Sequence, residues 1–167
     1  MQDWERLYMD DFDAWCERQV EALNQHRGKL PDDIDGEHIA EELQLMLHRE
    51  RRMAEAQVVR VIEHLLKLQW ATEHEPNGHV WWRAVHGARS ALDTFATPSL
   101  RPKLEAELPE FYQWAREHAK CDLYDIDQIS LGESLPETCP YTFDQILDAN
   151  WWPVWSDPAG QRPEAKP

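Results

Sequence analysis

The sequence predicts an all-α protein, a compact bundle of about five helices with a C-terminal aromatic strap and a mobile tail. Two observations carry that prediction. Apolar residues recur at three- and four-residue steps along most of the chain, with almost no alternation of the strand kind. Neither Gly nor Pro occurs between Gly36 and Pro76. At 167 residues, 42% apolar and 29% charged, the chain is long enough for one domain and hydrophobic enough to bury a core.

The first helix carries Phe12, Trp15, Cys16, Gln19, Val20 and Leu23 at helical spacing, with Asp10 or Asp11 as its cap and Gly28 and Pro31 as its end. Asp35 caps the next segment, whose stripe runs through Ile39, Leu43, Met46, Glu50, Ala54, Val58, Val61, Leu65 and Leu68. Taken as one helix of about 38 residues it would measure about 57 Å, against a diameter of roughly 40 Å for a globule of this size. A bend or break near Leu47-His48-Arg49 is preferred to a projecting helix covered by a partner. Trp81, Val85, Ala88, Leu92 and Phe95 mark a third amphipathic helix. A fourth starts near Ser99, with Pro102 in its first turn and Leu104, Leu108, Phe111, Ala115 and His118 on one face. Pro109 should kink it. Cys121 to Pro140 has no period and reads as a loop or lid. Thr142, three residues before Gln145, signals a capping box and a short helix to Leu147. Trp151, Trp152 and Trp155, split by Pro153, form the strap, and residues 156–167 the tail.

Charge narrows the functional classes. With 17 Lys+Arg against 32 Asp+Glu the formal charge is −15, which opposes phosphate and argues against nucleic acid. No apolar run reaches the roughly 18 residues of a membrane span, and the first residues lack a secretory pattern. Cys16, Cys121 and Cys139 are odd in number and widely spaced, so reduced thiols in a cytoplasmic protein are expected.

Several short strings resemble, in order, the motifs of the bacterial domain-of-unknown-function family number twenty-nine. They are Tyr8-Met9-Asp10-Asp11-Phe12-Asp13-Ala14-Trp15, Ile39-Ala40-Glu41-Glu42-Leu43, Glu50-Arg51-Arg52, and His64-Leu65-Leu66-Lys67-Leu68-Gln69. Trp82-Arg83, Pro98-Ser99-Leu100-Arg101-Pro102, and Cys139-Pro140-Tyr141-Thr142 running on to Trp152-Pro153 continue the series. The resemblance implies one all-α domain over residues 7–155 and assigns no chemistry. The family has Gly where Leu47 stands, which weakens the case for a break there, and the run Tyr124 to Leu135 is longer than the family pattern.

The candidate residues fall into two groups. Glu50 sits on the apolar stripe, where a carboxylate is paired, protonated or metal-bound, and an ion pair with Arg49, Arg51, Arg52 or an arginine on another helix is preferred. His64 lies beside Val61 and Leu65 and reads first as a hydrogen-bonded core residue. A metal site joining His64 with Glu42 or Glu50 requires the chain to fold back, because Glu50 and His64 lie about 21 Å apart along a straight helix. His38, Glu41 and Glu42 share one helical face and read as a solvated patch. The loop Glu73-His74-Glu75 with His79 is a weak zinc pattern. Asp122 to Glu133 fails the calcium-loop pattern because Tyr124 and Ile126 occupy ligand positions and Asp127 replaces the turn glycine.

The second group is the basic cluster Arg49, Arg51, Arg52 and Arg60, expected to dock an acidic segment of its own chain or of a second copy. Trp82 points about 100° away from Trp81 and, with Arg83, offers a contact surface. The sequence contains no phosphate loop and no nucleophile elbow. The leading expectation is therefore a non-catalytic interaction or regulatory module that binds a protein partner or itself, with no cofactor, nucleic acid or membrane. The alternative is a metal-binding bundle or metal-dependent enzyme using His64 with Glu42 or Glu50.

Overall fold

Asp11 divides the first helical stretch in two. In the computed structural model, which describes residues 4–71, 77–126 and 128–154, helix α1 (Trp4–Asp10) ends where Asp11 caps α2 (Phe12–Gln25) by accepting the Ala14 amide at 3.1 Å. A 3-10 turn at Arg27–Lys29 follows, then α3 (Gly36–Trp70), α4 (Gly78–Phe95), α5 (Arg101–Ala106), α6 (Leu108–Asp125), α7 (Ile129–Glu133) and α8 (Phe143–Leu147). No strand occurs among the described residues. The loop Glu73-His74-Glu75, Asp127, Trp155 and the tail lie outside the described residues, so the expectations placed on them do too.

The chain divides into two units, Met1–Glu55 with Asp93–Ala106, and Ala56–Leu92 with Glu107–Pro167. The first unit buries Cys16, Val20, Ala40, Leu47, Ala54, Leu100 and Leu104. Tyr8, Phe12 and Trp15 form an aromatic trio with centroids 4.9–5.7 Å apart. The second unit buries Val58, Val61, Ile62, Leu65 and Leu66 from α3, Trp81 and Val85 from α4, and Phe111 and Leu123 from α6.

Three sequence expectations require correction. No break occurs at Leu47-His48-Arg49, since α3 is one helix from Gly36 to Trp70; with neither Gly nor Pro inside it, nothing interrupts its hydrogen-bond ladder. Its buried row also differs at the start. Ala40 and Leu47 are buried while Ile39 and Met46 are 44% and 46% exposed. Adjacent apolar residues lie 100° apart, and hydropathy alone does not choose between them. Finally, Cys121 to Pro140 is partly helical. The buried row Phe111, Ala115, Ala119, Leu123 continues at four-residue steps and carries α6 to Asp125 before α7 forms.

Other details follow local chemistry. Pro109 ends the fourth helical stretch as two helices, because it sits in the first turn of α6, where its missing donor costs nothing. His118 points to solvent rather than inward. Gly132 is buried against Tyr124, where a Cβ would approach the ring carbon Cε1 to 2.7 Å. Thr142 and Gln145 form the capping box that opens α8. Tyr112 donates to the Pro136 carbonyl and Arg116 to those of Leu135 and Pro136, so two side chains of α6 fasten the segment before α8.

Candidate interaction site

The charged residues inside the first unit converge on Asp13. Its carboxylate is almost wholly buried and accepts from Arg51 Nε at 2.6 Å, Arg51 Nη2 at 2.9 Å and Lys103 Nζ at 2.9 Å. Glu17, one turn further along α2, accepts from Arg51 at 2.5 Å and Lys103 at 2.9 Å. Ser99 closes the network by donating its amide and hydroxyl to Asp11 at 2.9 and 2.6 Å. Burial pushes the Asp13 carboxyl up, but the hydrogen bonds from Arg51 and Lys103 outweigh it and hold the group below the usual carboxylate range. Arg51 thus turns inward to α2, where Asp13 and Glu17 are its partners.

A second network lies in the second unit. Lys67 is 1% exposed, and its ammonium donates to Glu63 at 2.7 Å and Asp122 at 2.5 Å, 5.7 Å from the centre of the Trp81 ring. Glu63 also lies 3.0 Å from His64 Nδ1 and 3.5 Å from His118 Nδ1. Burial opposes its ionisation, yet His64 and Lys67 more than offset that and bring the carboxyl down to about 2.

Arg89 organises the strap. The side chain is fully buried, and its fork donates to the carbonyls of Gln145 at 2.8 Å, Ile146 at 2.9 Å and Trp151 at 2.9 Å. Its guanidinium carbon lies 5.0 Å from the centre of the Trp152 ring. Trp152 stacks in turn on Trp82, 5.7 Å between centroids and 17° between planes, and His86 sits 4.0 Å from the Trp82 ring centre. Trp82 is therefore covered on one side by the strap of its own chain, while Arg83 beside it is exposed.

What these networks leave outside is the outer face of α3 within the first unit. Ile39, Met46 and Met53 stand seven residues apart and are 44%, 46% and 48% exposed. At that spacing they form one row on one side of the helix. Glu42 and Arg49 flank the row, Leu45 and Arg52 lie further round, and all four are exposed. On the other flank Glu50 is half-buried, and burial, reinforced by Asp13, raises its carboxyl above the usual range. None of the ion pairs found among the described residues includes Glu50, so the pairing preferred from sequence is not the arrangement found. A shallow concavity of about 320 Å³ is lined by Glu17, Val20, Gln44, Leu47 and His48.

The residues named for a metal site are not brought together. Glu42, Glu50 and His64 all stand on α3, which does not fold back between them. Among the described residues no three His, Cys, Asp or Glu side chains are grouped to hold a metal ion. His38 pairs with Asp35, the residue that caps α3, at 2.6 Å rather than with Glu41 or Glu42. No described helix is long and apolar enough to cross a membrane.

Sequence reasoning missed Lys67 and Arg89 as organising charges. The signals were present: Lys67 interrupts the apolar run Leu65-Leu66-Lys67-Leu68, and Arg89 lies four residues after Val85 and three before Leu92, on the buried row of α4.

This is an all-α protein whose interior is cross-linked by paired charges and whose one long helix presents an apolar row. The chain belongs to the family described as Domain of unknown function DUF29, whose model matches residues 7–152. It is similar to an alpha-helical protein of unknown function from Rhodospirillum rubrum, known from a crystal structure. The identity is 27%, over 86% of this chain and 90% of that one, with a TM-score of 0.74. No curated protein matches the sequence. The strings that carry the resemblance supply the networks: Asp11, Asp13, Arg51 and Ser99 in the first unit, and Lys67, Trp82 and Trp152 in the second.

Proposed function

We propose that this chain is a bacterial, cytoplasmic interaction module that performs no chemistry of its own and binds a protein through the outer face of α3. The observation that carries this reading is the row Ile39, Met46 and Met53, half-exposed beside Arg49 and Arg52. Methionine is unbranched and polarizable and adapts to a partner's surface, and arginine is enriched among residues that dominate interface energies. The interior charges support the same reading, because Asp13, Glu17, Arg51 and Lys103 are engaged with one another. The net charge of −15 favours a protein over a polyanion as the occupant.

The test is affinity capture with the tagged full chain against a Met46→Glu, Met53→Glu variant whose helical circular dichroism is unchanged. A partner, a second copy included, that is retained by the native chain and lost by the variant is the expected result. Equal retention by both would remove α3 from the reading.

A further inference from the structure

The row on α3 has a symmetry of its own. Ile39 and Met53 each lie seven residues from Met46, about 10 Å along the helix in opposite directions. Such a row matches itself when a second identical helix is laid against it antiparallel about a two-fold axis through Met46. Ile39 of each helix then meets Met53 of the other, and Met46 meets its own copy. Interfaces of this kind, in which one patch serves both subunits, are the commonest way that identical chains associate.

The charges beside the row obey the same symmetry. Glu42 and Arg49 are four residues before and three residues after Met46, on the same flank and exposed. A two-fold perpendicular to both helices keeps each flank on its own side and reverses the helix direction. Arg49 of one copy therefore comes level with Glu42 of the other, within about one residue's rise, and the pair occurs twice. Parallel alignment loses this pair, since each flank then faces the opposite flank of its neighbour, where Glu42 meets Leu43 and Arg49 meets the half-buried Glu50. Both arrangements join the row to itself, but the antiparallel one sets two fully exposed opposite charges, Glu42 and Arg49, against each other on both sides of the axis, whereas the parallel one draws on the half-buried Glu50.

From this we infer that the occupant of the α3 face is a second copy of the chain, paired antiparallel through Ile39, Met46 and Met53 and aligned by reciprocal Arg49 to Glu42 ion pairs. The inference rests on the interaction reading above and specifies its partner. All five residues belong to the first unit, so the surface is complete within one part of the chain.

The test uses the full chain in two measurements. Sedimentation over a concentration series compares the native protein with Arg49→Glu, with Glu42→Arg, and with both together. Each single reversal should weaken self-association by about tenfold or more, and the double exchange should restore it, because the opposite charges face each other again across the two-fold. In a Cys121→Ser background, Met46→Cys should form a disulfide-linked dimer on mild oxidation. Ile39→Cys should cross-link only when mixed with Met53→Cys. A native chain that sediments as a monomer throughout overturns the inference, and so does a dimer indifferent to the charge exchange and without the Met46→Cys cross-link. These failures are separable from failure of the interaction reading. A monomer that still loses a captured partner on Met46→Glu, Met53→Glu substitution defeats the second copy as occupant and leaves α3 as the binding face.

Discussion

Arg89 donates a hydrogen bond to the backbone carbonyl of Trp151, 62 residues further along the chain, at 2.9 Å. The same guanidinium serves Gln145 and Ile146, so one buried cation ties the strap to α4 through three carbonyls. Arg89→Lys should lower stability by about 3 kcal/mol. An ammonium lacks the planar fork, and buried carbonyls lose charge-assisted bonds. Urea denaturation measures the loss, and tryptophan emission should shift to the red as Trp152 loosens.

Asp13 is the common acceptor of Arg51 and Lys103. Asp13→Asn keeps the shape and removes the charge, which leaves Arg51, itself mostly buried, with only the more exposed of its two carboxylates, Glu17. A loss of about 2–4 kcal/mol is expected, toward the lower end because Lys103 retains solvent. Lys103→Met in the same assay should cost less than half as much.

Glu63 gives the second unit an acid sensitivity of definite sign. Its carboxyl is lowered from 4.5 to about 2 in the folded chain, so its contribution is complete above the unfolded value and is lost as pH falls through the folded one. The contribution is roughly 3 kcal/mol by linkage, lost between about pH 4.5 and pH 2. Urea midpoints measured from neutral pH to about pH 3 should fall for the native chain and fall less steeply for Glu63→Gln.

Glu50 behaves in the opposite sense. Burial and the nearby Asp13 raise its carboxyl, so its ionised form at neutral pH opposes folding. Glu50→Gln should therefore stabilise the protein at neutral pH, seen as a rise in melting temperature. That gain should shrink as the pH is lowered and the native Glu50 becomes protonated.

Local features are the legible part of this sequence. The capping box of Thr142 and Gln145, the Asp11 cap and the helix-start role of Pro102 each depend on residues within one turn, and each is found in place. The uninterrupted α3 was partly legible, since 35 residues without an internal Gly or Pro offer no breaking point, although globule size argued for a bend or break. What local pattern does not carry is the choice among equivalents. Arg49, Arg51 and Arg52 are chemically alike, and only Arg51 faces Asp13, a residue 38 positions away. Met46 and Leu47 are both apolar neighbours, and the packing of the first unit decides which one is buried. Trp82 was separable from Trp81 by its direction, but its stacking on Trp152 depends on a strap held by Arg89.

The two units are interleaved along the chain, and this orders their completion during synthesis. Asp11 and Asp13 leave the ribosome early, while Ser99 and Lys103, which satisfy them, follow 86–90 residues later. With residue 106 the first unit has every segment it needs. The second still lacks α6, α8 and the acceptors of Arg89. Emergence from the N-terminus onward therefore releases the first unit to fold while the buried cations of α3 and α4, Lys67 and Arg89, are still awaiting Asp122 and the Gln145 to Trp151 carbonyls. A translational pause after residue 106 would leave the first unit with all of its segments, and the second with Lys67 paired to Glu63 alone and Arg89 without its three carbonyls, the form that chaperones and proteases would meet first.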